Sequence, residues 1–355
     1  MTKDRVNEID LLRFLAALSV VLFHYAFRGY AADGLSNMPY PLLAPYAKYG
    51  YLGVELFFMI SGFVILMTAS GVGLRSFVVS RVVRLYPAFW ACCSITFAMI
   101  RLLPVAPYQV SWSQYLANMT MLSGFFDVPS VDNDYWSLFV ELKFYALVAV
   151  ILLLRRISQV QLWLWLWLAI SWANQLVHSG KVLMVFMTDY SGFFIAGAAF
   201  YLIWSSGASL ARWLLVLLSW GLGTWQALQT VSGVEHHYGS AISRGAVVAI
   251  IAVYFAAMLL IALRRSGWMG RRRWLLAGVL TYPLYLLHQN IGFMLIKLEY
   301  PAWNPHLVLW SLTAGMCVAA YLVHVLVERR LAGPMKRGLL ALLEGGRKAR
   351  LGPQP

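Results

Sequence analysis

Stretches of about twenty predominantly apolar residues recur along the whole chain, and a hydrocarbon layer roughly 30 Å thick absorbs such runs where a water-soluble core cannot. In lipid the polar groups of the backbone have to be satisfied internally, which leaves helices or a closed barrel. The alternating ten-residue strand patterns of a barrel are absent, so the chain reads as an all-α polytopic membrane protein. Composition agrees: 61% of the 355 residues are hydrophobic and 12% are charged, against about a quarter charged in ordinary soluble domains. Secreted and disordered classes fall with the soluble one. Cys92, Cys93 and Cys317 have neither disulfide nor metal-ligand spacing.

Breakers and charges divide the runs into ten expected transmembrane helices, at about 12–28, 50–70, 85–103, 136–154, 160–177, 182–204, 213–230, 245–263, 274–296 and 307–327. An even number puts both termini on one side. With the N-terminus inside, the inner segments hold twenty of the 28 Lys and Arg, including Lys3, Arg5, Arg347, Lys348 and Arg350, while the outer ones hold Arg28, Lys48, Lys181, Arg244 and Lys297. That asymmetry predicts cytoplasmic termini. It also explains the net charge of +14 through topology, with no nucleic acid as partner. The first span follows an acidic N-tail with Asp4, Glu8 and Asp10 and lacks a small-residue cleavage site, so it reads as retained rather than as a signal peptide. One membrane domain over 1–328 and a short basic cytoplasmic tail over 329–355 are expected.

Ionisable side chains inside spans are costly and are functional candidates by default. Arg13 and His24 are eleven residues apart, which at about 100° per residue returns to nearly the same helix face, roughly 16 Å along the axis. Counting about 1.5 Å per residue, His24 and His288 fall some 20 Å from the inner boundary, and Glu55, Glu141 and Asp189 roughly 7–11 Å below the outer one. These five share one expected layer. No two histidines stand at metal-ligand spacing with a carboxylate beside them on one helix, so no metal is expected.

An imidazole oriented by a carboxylate can take the proton of an alcohol as that alcohol is acylated. His24 with Glu55, Glu141 or Asp189 would make such a pair. Guanidinium groups suit phosphate, and Arg13 lies near the cytoplasmic Arg75, Arg81 and Arg84. The polarity fits a phosphorylated donor inside and an acceptor outside. A proton-coupled transporter or flippase of a lipid-linked sugar would use the same layer as a relay, although paired broken spans are not visible. A scaffold of a polysaccharide assembly complex is the third reading.

The strings IDLLRFLAALSVVLFH with its R-x10-H spacing, GVELFFMISGFVI, SRVVRLYP, YWSLFVELKFY and TYPLYLLH stand in one order along the chain. Together they resemble the acyltransferase 3 family of bacterial membrane proteins, in spans one to four and nine. The resemblance implies transfer of an acyl group, most often acetyl from cytoplasmic acetyl-CoA, to a sugar hydroxyl of a surface polysaccharide, lipid-linked glycan or glycoside, in the bacterial inner membrane. By position it implies His24 as the essential histidine, Arg13 as its basic partner, Arg81 and Arg84 as the donor-side R-x-x-R element and Glu141 as the acidic residue of the WSL-x-x-E string. Glu55 stands where many members have Asp, and Leu142-Lys143 where many have Glu-Gln. The expected assignment is therefore His24, Glu141 and Glu55 as catalytic, Arg13, Arg81 and Arg84 as donor-binding, and His288 and Asp189 at the acceptor side, with acyl-CoA as a substrate and no resident cofactor.

Overall fold

The structure, a computed structural model, describes residues 6–32, 34–103 and 105–351, with side chains described through Leu343. Lys3, Asp4 and Arg5, and the side chains of Arg347, Lys348 and Arg350, lie outside the described residues. Each of the ten expected spans falls on a helix: α1 Asn7–Phe23, prolonged by a π-helical turn over His24–Arg28 and by Gly29–Ala31, then α2 Gly53–Ala69, α3 Leu74–Leu102, α4 Tyr135–Leu153, α5 Val160–Val177, α6 Ser191–Ser206, α7 Leu210–Tyr238, α8 Arg244–Ala262, α9 Leu275–Glu299 and α10 Pro305–Val323. No strand occurs among the described residues. Seven stretches are long and apolar enough to cross a membrane by length and composition. α5, α7 and α9 are not among them; of the polar groups they carry, Asn174, Gln226, His288 and Gln289 are buried.

Two boundaries depart from expectation. α3 starts at Leu74 rather than near 85, and its 29 residues reach about 43 Å, longer than a bilayer core of roughly 30 Å, with Arg75, Arg81 and Arg84 in its first turns. The expected span 182–204 is broken into a short helix Gly180–Phe186 and α6, with Met187 in the left-handed region. Irregular backbone at membrane depth is tolerated where protein groups satisfy it. Here the Thr188 carbonyl accepts from Gln175 Nε2 and Gln226 Nε2, at 2.9 and 2.7 Å.

α1 packs between α2 and α9, α2 lies against α6, and α9 also meets α3 and α10. The α2–α6 crossing is closed by glycine. A Cβ at Gly197 would overlap the Met59 carbonyl oxygen, and one at Gly62 the Phe194 carbonyl oxygen. Small residues let helix backbones approach in this way in lipid. Gly197→Ala is therefore expected to destabilise the bundle by about 1–3 kcal/mol through overpacking. Gly315→Ala on α10, where a Cβ meets open space, should leave the detergent melting temperature unchanged; equal melting of the two variants would contradict the close crossing.

α10 runs through a π-helical turn, His324–Glu328, into a helix α11, Arg329–Leu351, which packs on the start of α3. The segment expected as a basic tail is thus helical. Arg329, Arg330, Lys336 and Arg337 are exposed on it.

Candidate functional site

Two cavities meet inside the bundle. The one at the arginine-rich end, called inner after the topology that the charge bias leads one to expect, has a volume of about 360 Å³ and is lined by Arg13, Ser61, Arg81, Arg84, Glu141 and Tyr145, among others. Glu141 Oε1 accepts from Ser61 Oγ and from Tyr145 Oη, both at 2.6 Å. Arg81 lies 5.9 Å from the Tyr145 ring, and Arg84 lies 5.8 Å from the Tyr282 ring. Arg84 Nη1 is also 3.5 Å from Glu328 Oε1, while Glu328 Oε2 accepts from His324 Nδ1 at 2.6 Å. Three guanidinium groups against one carboxylate give this cavity a net positive lining, the chemistry that suits an anion.

The outer cavity, about 250 Å³, is lined by His24, Arg28, Tyr51, Glu55, Asp134, Trp136, Tyr190 and Tyr238, among others. His24 and His288, expected at one depth, are in contact. His288 Nδ1 donates to the Tyr285 carbonyl at 2.9 Å, so in the neutral ring its Nε2 is the acceptor for His24 Nδ1, also at 2.9 Å. The tautomers follow from that network. Asp134 closes the trio: Oδ2 is 3.1 Å from His288 Nε2 and Oδ1 is 3.6 Å from His24 Nε2. The Gln289 amide, with its nitrogen turned to the carboxylate, donates to Asp134.

Local backbone explains the convergence. The π-helical turn begins at His24 and sets Arg28 on the same side, where Arg28 Nη1 donates to His24 Nε2 at 2.9 Å; such turns recur at functional sites. On α9, Pro283 removes one helical hydrogen bond just before His288. The segment before α4 folds into the bundle: the Asn290 backbone amide donates to Asp132 Oδ2 at 3.1 Å, Asn290 Nδ2 to the Val131 carbonyl at 2.9 Å, and the Val131 amide to Asn118 Oδ1 at 3.1 Å. Asp134, at the N-terminus of α4, therefore reaches the depth of His24.

The same inward fold moves Glu141 away from the place expected for it. Seven residues below Asp134, it is about 10 Å further in and faces Arg13, Arg81 and Ser61 rather than His24. The carboxylate beside His24 is Asp134. Glu55 lines the outer cavity with His24, and its Oε2 is buried without a hydrogen-bond partner, as are Tyr51 Oη and Arg28 Nε. Arg13, Arg81 and Arg84 share one cavity, as expected. Asp189 does not line the outer cavity; it is exposed and its electrostatic partner is Lys143. Asp134, Arg28, Gln289 and Tyr285 were not among the expected site residues. The segment 104–135, between the third and fourth spans, carries Asp127, Asp132 and Asp134 and no Lys or Arg, a sequence signal that points to the first of them.

His24, Asp134 and His288 each offer a ligand atom within 4.8 Å of the others, a set with the composition of a metal centre. The geometry favours hydrogen bonding. The 2.9 Å between His24 Nδ1 and His288 Nε2 is shorter than the roughly 3.3 Å edge of a tetrahedron with bonds of about 2.0–2.1 Å, and a guanidinium occupies the other nitrogen of His24.

No curated protein and no solved structure matches the chain significantly. The model of an acyltransferase domain family, acyltransferase 3, matches residues 6–326, a stretch that contains both cavities and nearly every helix that builds them. The chain belongs to that family, as a membrane acyltransferase.

Proposed function

We propose that the chain moves an acyl group, acetyl in the first instance, from cytoplasmic acyl-CoA to a sugar hydroxyl presented on the outer side of a bacterial inner membrane. The observation that carries this reading is the pair of abutting cavities, one lined by arginines and the other by His24 and Asp134, with His288 hydrogen-bonded to His24 behind them. Arg13, Arg81 and Arg84 hold the phosphates of the CoA, for which guanidinium groups supply bidentate hydrogen bonds. In the outer cavity the acceptor hydroxyl takes the place of Arg28 at His24 Nε2. His24 accepts its proton as the hydroxyl oxygen forms the new ester bond to the thioester carbonyl carbon. The C–S bond then breaks, and the thiolate leaves with the proton from His24. His24 Nδ1–H stays bonded to His288, and Asp134 offsets the transient imidazolium charge. Arg28, displaced toward the reacting carbonyl, donates to its oxyanion, the largest kind of catalytic contribution from fixed donors.

The unpartnered Glu55 Oε2 and Tyr51 Oη supply hydrogen bonds for further hydroxyls of the sugar, and Trp136, Tyr190 and Tyr238 offer apolar faces to its ring. Glu55→Gln is expected to raise the acceptor KM several-fold, the worth of one hydrogen bond at about 0.5–1.5 kcal/mol, with a smaller change in the KM for acyl-CoA. Arg81→Ala and Arg84→Ala are expected to do the reverse, raising the KM for acyl-CoA about tenfold with little effect on acceptor KM. Glu328→Gln, which loosens Arg84, should follow the same pattern more weakly. Steady-state kinetics with each substrate varied in turn checks all four; a variant of the arginine set that changes only acceptor KM contradicts the donor assignment.

A further inference from the structure

The two cavities share two side chains, Val54 on α2 and Tyr285 on α9. An acyl group that starts on a thioester in the inner cavity and ends on a hydroxyl at His24 has to pass between them. Both are held. The Tyr285 hydroxyl is 2.7 Å from Ser137 Oγ and donates to the Asp134 carbonyl at 3.3 Å. Its ring meets Phe57 edge-on at 5.6 Å and lies 5.8 Å from the His288 ring. Val54, β-branched, has essentially one side-chain rotamer on a helix. Its helix cannot retreat either, because a Cβ at the neighbouring Gly53 would stand 2.5 Å from Ser19 Oγ and 2.7 Å from the Ala16 carbonyl oxygen on α1.

From this we infer that Val54 and Tyr285 form a ruler for acyl length, an inference that rests on the acyltransferase reading above. A two-carbon acyl group reaches the hydroxyl at His24. A longer chain stays in the inner cavity, where about 360 Å³ accommodates it without letting its carbonyl carbon through. Discrimination then falls on kcat, while donor binding tolerates length. The ruler is distinct from the acyl-CoA clamp, since Arg13, Arg81 and Arg84 read the phosphates and are blind to the acyl group.

The test uses the full chain, purified and held in lipid nanodiscs, with acetyl-, butanoyl-, hexanoyl- and octanoyl-CoA as donors and a surface-glycan extract of the source cells as acceptor. Thiol release above that without extract gives the rate. Wild type is expected to favour acetyl over butanoyl by at least about tenfold, from the 10–200-fold that a single methylene is worth in a shaped apolar site, with the difference in kcat. Val54→Ala should narrow the ratio to within about threefold, and Val54→Ile should widen it. Because each ratio is internal to one preparation, partial loss of folded protein cancels. Equal rates for acetyl and octanoyl in wild type, or ratios that neither Val54 variant moves, would overturn the ruler and leave the acyltransferase reading standing. No thiol release from any of the four donors by wild type would overturn that reading, and the ruler with it.

Discussion

His24→Ala, assayed in the purified chain with acetyl-CoA and glycan extract, is expected to lose acyl transfer by about two to four orders of magnitude, the usual worth of a positioned general base. The loss should fall on kcat, with the KM for acyl-CoA within a few-fold of wild type, because the arginines that hold the donor belong to the other cavity. His24 sits at the head of a π-helical turn and is only 2% exposed, so its replacement leaves a small void rather than a broken helix, and the melting temperature is expected to fall by a few degrees at most. His24→Gln, which keeps a hydrogen-bond donor toward His288 and supplies no base, should be as inactive as His24→Ala. An active His24→Gln would turn the histidine into a structural group.

Asp134→Asn is the second large effect, and it separates the observed geometry from the arrangement the motif suggests. The carboxylate touches both imidazoles, at 3.1 and 3.6 Å, and its charge offsets the imidazolium that forms during transfer. Replacing it by an amide of the same shape removes that charge and places an N–H donor against a ring whose Nδ1 and Nε2 are already engaged. We expect kcat to drop about 10³-fold or more, on the scale of removing the acid of a hydrogen-bonded catalytic triad. The double variant with His24→Ala should lose little beyond the worse single variant, since the two act as a unit. Glu141→Gln should instead behave as a donor-side change, because Glu141 bonds Ser61 and Tyr145 beside Arg13. If Glu141→Gln matched His24→Ala in kcat while Asp134→Asn stayed active, the orienting carboxylate would be Glu141 after all.

What the sequence made legible follows from what each signal depends on. Span positions depend on the length of apolar runs, a local property, and nine of the ten fall each on one continuous helical stretch, the tenth being broken at Met187. The His24–His288 contact was legible as equal depth, since both residues are counted along regular helices from their inner ends. Asp134 was not, because depth counting treats a connection between spans as lying outside, and the segment before α4 is drawn inward by Asn118 and Asn290, hydrogen bonds that only the tertiary structure reveals. The same displacement carried Glu141 from the outer layer to the arginine cavity. Arg28 was counted as an exception to the charge bias. The π-helical turn gives it a place in the site, and a single widened turn leaves no periodic trace in sequence. Asp189 failed for a simpler reason: the break at Met187 turns it outward toward Lys143, a side chain that helical counting placed within a span.

The central claim is that one site joins two sides of a membrane. Its most direct measurement uses the purified chain in proteoliposomes, with acetyl-labelled acetyl-CoA supplied only on the side of Arg81 and Arg84 and the glycan extract only on the other. Label on the glycan, abolished by His24→Ala, is the expected result. Transfer that occurs only when donor and acceptor share one side, or label that reaches the glycan equally well in His24→Ala, would contradict it.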